Sequence, residues 1–233
     1  MRRFLAVMFA ALPALAAHGS EPSAAGASTL PLVFSEDFED GADHWEPTDP
    51  AAWKLVPSRH GSAYSQFRQS KYAPPYRSPF NVALLKDVVV SDFVLEAEVL
   101  STKPDYGHRD MCLVFGYQDP AHFYYVHFGK KTDDHANQIF IVDGAARQKI
   151  STKTTAGTNW DDKWHHLKIV RSVADGQIDV YFDAPEQPVM QARDTKFAWG
   201  RVGLGSFDDI GDWDEVRLYG NKAESGKPKA ESK

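Results

Sequence analysis

Between Tyr106 and Asp110 (YGHRD) the chain places an aromatic ring, an imidazole at His108, a guanidinium at Arg109 and a carboxylate at Asp110 in close succession. Tyr125, His127, Lys130, His135, Asn137 and Gln138 follow soon after. Sugars need this mixture, because flat apolar rings cover their C–H faces and forked polar groups meet their hydroxyls. Asp110 with His127 is also a pair able to move protons as general base and acid. A second carboxylate pair, Glu96 and Glu98, stands two residues apart. In an extended chain the two share a face about 6.6 Å apart, near the roughly 6.5–9.5 Å between the carboxyls of inverting glycosidases. A solvated sheet face produces the same spacing with no function. His108, His122, His127, His135, His165 and His166 show none of the tight spacings of a zinc helix or finger. The single cysteine, Cys112, lies in the apolar run MCLVFGY and reads as a small buried hydrophobe.

The elements that position these residues are strands. Helical periodicity is nearly absent, and short runs rich in Val, Ile, Phe and Tyr alternate with Gly, Pro and Asp turns. The clearest are Phe93–Leu100, Asp110–Tyr117, Phe123–Gly129, Gln138–Asp143, Trp164–Arg171, Gln177–Asp183, Arg201–Ser206 and Asp214–Tyr219. Asp175-Gly176 joins two of them as a hairpin. Successive side chains point to opposite sides of a strand. Met111, Leu113 and Phe115 therefore oppose Asp110, Cys112 and Val114, while Tyr124, Val126 and Phe128 oppose Phe123, Tyr125 and His127. One face of each strand is core, and the other is left for ligand or water. Asp110 and His127 fall on that second face, on adjacent strands. So many strands without helices predict an all-β, antiparallel two-sheet sandwich. The long stretch Ala51–Ser78 is either a loop rimming a groove, with Tyr72, Tyr76 and Arg77 available to it, or an irregular strand pair.

Bulk properties narrow the function class. Arg2 and Arg3 precede a 14-residue apolar run, Phe4–Ala17, that ends on the small-x-small pattern Ala14-Leu15-Ala16. This is the layout of a cleavable export signal over residues 1–17, and the run is short of the roughly 20 residues of a membrane span. A secreted or periplasmic protein with no stable membrane span after cleavage is expected. Residues 18–29 read as a linker, 30–220 as one domain, and 221–233 as a disordered polar tail. The net charge is −6, and −8 without Arg2 and Arg3. An acidic chain with no basic stripe argues against nucleic acid and anionic membrane as partners and suits neutral sugars or cations.

Several segments in order resemble the concanavalin A-like lectin/glucanase superfamily over nearly the whole domain. They are FSEDFEDGADHW (Phe34–Trp45), SDFVLEAEV (Ser91–Val99), the hairpin WHHLKIVR…DGQIDVYFD (Trp164–Asp183), which looks like that of laminin G-like modules, and GRVGLGSFDDIGDWDEVRLY (Gly200–Tyr219). The resemblance implies a jelly-roll sandwich. Its family 16 glycoside hydrolase branch is marked by an E-x-D-x-E strand, which this sequence lacks. DFVLEAEV also resembles the bacterial 3-keto-disaccharide hydrolase domain, but Tyr124-Tyr125-Val126-His127 stands where that domain tends to carry a glutamate. The resemblance further implies a structural Ca2+ between the opening segment and the closing strand, with Asp214, Glu36, Asp37 and Gly41 as its ligand set. Calcium takes six to eight oxygens of this kind.

The expectation is thus an exported, lectin-like carbohydrate-binding module. His108, Arg109, Asp110, Tyr125, His127, Lys130, His135 and Gln138 are its ligand residues. A glycoside hydrolase using Asp110, His127, Glu96 or Glu98 is one alternative, and a protein-binding adhesion module is another.

Overall fold

The computed structural model describes residues 30–184 and 186–223. The expected export signal and linker, and the tail from residue 224, lie outside the described residues. Sixteen strands run in chain order: β1 Leu32–Glu36, β2 Trp45–Pro47, β3 Trp53–Ser58, β4 Gly61–Gln66, β5 Asn81–Leu85, β6 Val90–Ser101, β7 Asp110–Asp119, β8 His122–Gly129, β9 Gln138–Asp143, β10 Gln148–Lys149, β11 Ser151–Thr154, β12 His165–Arg171, β13 Gln177–Phe182, β14 Met190–Arg193, β15 Arg201–Ser206 and β16 Gly211–Lys222. Asn221 and Lys222 thus extend the closing strand, with Lys222 opposite Val90, and do not belong to the tail.

Two antiparallel sheets form the sandwich. One holds nine strands in the order β11-β14-β13-β12-β6-β16-β4-β3, with β1 also on β16, and the other holds seven in the order β10-β9-β8-β7-β15-β5-β2. The free edge of β16 is shared, since its start pairs with β4 and its end with β1. The changeover is a bulge at Asp214–Glu215, where Glu215 adopts φ +47° and donates its N–H to Asp214 Oδ1 at 2.8 Å. Among the described residues no helix is long and apolar enough to cross a membrane.

Alternation assigns the inner faces correctly. Met111, Leu113, Phe115, Tyr124, Val126 and Phe128 meet Leu95, Ala97, Val99, Leu167, Ile169 and Trp213 in one core between the sheets. The outer face of the seven-stranded sheet departs from the expectation of a face open to ligand or water. Val82, Leu84, Cys112, Val114, Phe123, Tyr125, Phe140 and Val142 form a second buried apolar cluster there, capped by Phe207. The physical reason is compositional. Runs such as MCLVFGY and FYYVHF are apolar on both faces, so both faces must be covered, at about 1.5–3 kcal/mol gained per large side chain buried. The cover includes the irregular segment 67–80, with Tyr76 and Phe80 packed on the cluster. Residues 51–78 therefore split into a hairpin, β3–β4, and a lid-like coil.

Close approach between two connections fixes the cover at one point. Gly116 bulges out of β7 at φ +57°, and a Cβ on Gly200 would stand 2.2 Å from its carbonyl carbon. Only glycine fits at both positions.

Candidate functional site

The register of three strands builds the centre of the site. Cys112 pairs with His127, and His127 with Gln138. Asp110, two residues before Cys112, shares its outer face. Asp110 Oδ2 accepts the Phe207 N–H at 3.0 Å, lies 3.0 Å from His127 Nε2, and is 3.6 Å from Cys112 Sγ. The Asp110 N–H donates to Asp209 Oδ2 at 2.9 Å. Asp209 Oδ1 takes the Tyr106 O–H at 2.8 Å and faces Lys103 Nζ at 3.2 Å. The Asp209 carbonyl accepts from Ser206 Oγ, Gln66 and Asn81, which pins the loop that carries Phe207 and Asp208.

Electrostatics at this centre are those of crowded acids. Asp110, Cys112 and Asp209 are inaccessible, and His127 retains 6% of its surface. Desolvation, then the charge on Asp110, pushes the carboxyls of Asp208 and Asp209 up. The same two causes raise the Cys112 thiol well above its ordinary value. His127 Nδ1 is 2.8 Å from the His135 carbonyl, which can only accept, so Nδ1 carries the proton. Its Nε2 is buried and makes no hydrogen bond, although Asp110 is within 3.0 Å, because the two atoms are not aligned for one.

Above this centre the side chains are more exposed, and they form the mouth of the site. The Phe207 ring stacks on His127 at 5.7 Å and 14°. The Arg147 guanidinium lies over the Phe207 and Phe140 rings at 4.3 and 4.6 Å, and that of Arg77 over Phe207 at 5.4 Å. Arg147 is aimed by Tyr125, whose oxygen accepts from Nη1 at 2.7 Å. Tyr106, His108 and Asp208 are exposed beside these groups.

The eight expected ligand residues gather at this one end of the sheet, in unequal roles. Arg109 is 1% exposed and gives its donors to Ser101 and Asp162. Gln138 is buried and donates to the Asp133 carbonyl at 2.8 Å, and Lys130 pairs with Asp105. His108 stands 3.7 Å from Asp133, and His135 serves through its carbonyl. Glu96 and Glu98 lie on the other sheet, facing outward, where Glu98 meets Arg59 at 3.0 Å and His166 at 3.2 Å and Glu96 meets Lys168 at 3.5 Å. Phe207, Asp208, Asp209 and Arg147 were not among the expected residues. They come from connections, and strand alternation carries no signal for them.

Glu36, Asp37 and Asp214 of the set expected for calcium do not converge as one cluster of side chains. Glu36 accepts from the Phe38 N–H at 3.3 Å and meets His44 Nδ1 at 2.9 Å. Asp37 accepts the Glu39 N–H at 3.2 Å, and Gly41 turns the chain at φ +112°. Asp214 is given to Ser58 Oγ at 3.1 Å and to the Glu215 N–H. Among the described residues, three or more metal-capable side chains converge only as Asp110–Cys112–His127 and Asp110–Asp208–Asp209, both on the opposite sheet.

Asp214 has a measurable consequence of its own. Desolvation holds its carboxyl above the usual 3.8, so the folded chain keeps that proton more tightly than the unfolded chain. The resulting stabilisation is complete below 3.8 and is lost as pH rises through the raised value. Asparagine mimics the protonated form and can keep both hydrogen bonds. Asp214→Asn should therefore melt a few degrees above the native chain near neutral pH, with the gap closing below about pH 4. Equal melting temperatures across the titration would contradict this.

No protein-family model and no curated protein matches the chain. Solved structures do. A carbohydrate-binding module, CBM66, from Bacillus subtilis is similar at 18% identity and a TM-score of 0.54, over 76% of this chain and 95% of that one. Domain 4 of the extracellular arabinanase AbnA from Geobacillus stearothermophilus, solved with arabinotriose, is similar at 12% identity and 0.55, over 84% and 95%. The winged bean acidic lectin, solved with methyl-α-D-galactose, is similar at 12% and 0.54, over 82% and 98%. At such identities the likeness is one of fold, and one fold hosts many functions.

Proposed function

We propose that the chain is an exported carbohydrate-binding module that takes its sugar at the mouth formed by Tyr106, Arg77, Arg147 and Asp208. The observation that carries this reading is the layering of two planar guanidinium groups on Phe207 beside an exposed carboxylate and an exposed phenol ring. Arginine forks and a carboxylate match vicinal hydroxyls from both sides, and the Tyr106 ring offers a face for the C–H surface of a pyranose or furanose. Support comes also from the fold, which is shared with solved structures named for carbohydrate binding or holding a sugar. The acidic balance of the chain disfavours polyanionic partners. The hydrolase alternative is the weaker reading, because Asp110 and His127 lie beneath Phe207 and Glu96 and Glu98 are engaged on the other sheet.

A glycan array followed by calorimetry on the best ligand tests the proposal. Arg147→Ala, Asp208→Ala and Tyr106→Ala should each weaken binding about tenfold to hundredfold, the equivalent of one lost charged hydrogen bond or ring face. Unchanged affinity in all three variants would remove this mouth as the site. Release of reducing sugar by the native chain would replace the binding module with an enzyme.

A further inference from the structure

We propose that Asp110, Cys112 and His127 form a binding site for a divalent transition ion of the zinc type, closed on its solvent side by Asp208 or water. The inference goes beyond the carbohydrate reading and does not depend on it: Asp208 borders both sites, but the three ligands lie below Phe207 and the sugar site above it.

The argument starts from His127. Its Nδ1–H is committed to the His135 carbonyl at 2.8 Å, which leaves a bare lone pair on Nε2. That nitrogen is buried, unhydrogen-bonded and 3.0 Å from a carboxylate oxygen. An imidazole lone pair and a carboxylate oxygen this close repel unless a cation stands near both. A proton would bring the pair into line as an imidazolium–carboxylate hydrogen bond, and that alignment is absent. A metal ion needs both lone pairs to point at a common centre rather than at each other. A backbone carbonyl holding the far nitrogen is also what fixes the tautomer of metal-ligating histidines.

The third ligand sets the type of ion. Cys112 Sγ is 3.6 Å from Asp110 Oδ2, and the three donor atoms lie within 4.8 Å of one another. A tetrahedral zinc with bonds of about 2.1 Å to oxygen and 2.3 Å to sulfur places those two ligands roughly 3.6 Å apart. Imidazole and thiolate together select zinc or cobalt over calcium or magnesium, which prefer oxygen alone. A fourth position is available. Asp209 is spent on Tyr106, Lys103 and the Asp110 N–H, whereas Asp208 is exposed and within the same carboxylate group. Binding is balanced by release of the Cys112 thiol proton to solvent, since only the thiolate coordinates.

Cobalt(II) titration of the full, chelator-treated, tag-free chain tests the site. The nine histidines can bind cobalt elsewhere, but Cys112 is the single cysteine, so a thiolate-to-cobalt charge-transfer band in the near ultraviolet reports this site alone. The expected result is one equivalent of cobalt giving that band with tetrahedral d–d absorption, bleached by zinc and absent in Cys112→Ala and His127→Gln. No charge-transfer band in the native chain would overturn the proposal, whatever the variants do. So would a band that survives His127→Gln, or calcium-dependent stabilisation with no thiolate signal. Sugar affinity in Cys112→Ala separates the two readings. Retained affinity with the cobalt signal lost supports two independent sites, and lost affinity in a folded variant overturns the independence.

Discussion

Alanine in place of Trp160 is expected to remove about 3–5 kcal/mol of stability and to lower the melting temperature by on the order of 10 °C. Trp160 lies in the connection between β11 and β12, outside any strand, yet is 1% exposed. Its ring meets Phe182 edge-on at 5.0 Å and His165 at 5.2 Å, both from the nine-stranded sheet. Its indole N–H donates to the Phe128 carbonyl at 2.8 Å, on the seven-stranded sheet. Thr158 Oγ1 anchors the same connection to the Gly129 carbonyl at 3.0 Å. One side chain therefore seals the seam between the sheets. Truncation opens a large cavity and removes a buried hydrogen bond, two penalties that add. Trp160→Phe keeps most of the volume and loses only the N–H, so its cost should be nearer 1–3 kcal/mol. Urea unfolding with an unchanged m-value measures both. A loss below about 1 kcal/mol in Trp160→Ala would show that the seam closes without it.

How far the sequence carries the fold follows from where its signals are strong. Gln138–Asp143 and Arg201–Ser206 were readable to the residue, and Asp175-Gly176 marked the β12–β13 turn, because short alternating or apolar runs between turn residues leave little choice of element. β5, β10, β11 and β14 escaped detection. Segments such as Ser151–Thr154 (STKT) have no apolar period, and this one is a strand only because β14 pairs with it. The candidate site divides the same way. Alternation put Asp110, Cys112 and His127 on one outer face of adjacent strands. It could not supply the cover, because the Phe207 N–H reaches Asp110 across 97 positions and the Asp209 carboxylate across 99. Such contacts are set by how a connection folds over a sheet, which no local pattern encodes. Cys112 was legible as buried. That it stands directly opposite His127 needed the register of β7 on β8.

Arg109→Met is expected to cost about 3–5 kcal/mol, because two buried charged hydrogen bonds are each worth roughly 1.5–3 kcal/mol. From its residue type and position, Arg109 is an attractive sugar ligand. In the fold, Nε donates to Ser101 Oγ at 3.0 Å and Nη2 to the Ser101 carbonyl at 2.6 Å, which ties the end of β6 to the start of β7. Its contact with Asp162 at 3.1 Å adds little, since that carboxylate is 92% exposed and stays solvated without it. Methionine fits the apolar length of the side chain but leaves the Ser101 groups buried and unpaired. The connection that this clamp closes, residues 102–109, carries Lys103 and Tyr106, the groups that meet Asp209. Sugar affinity should therefore fall together with the melting temperature, and Arg109→Lys should restore neither fully, because an ammonium lacks the fork that reaches both Ser101 atoms. A direct ligand role predicts the opposite pattern, lost affinity at unchanged stability. Calorimetry of sugar binding beside thermal unfolding, on the same two variants, separates positioning from contact.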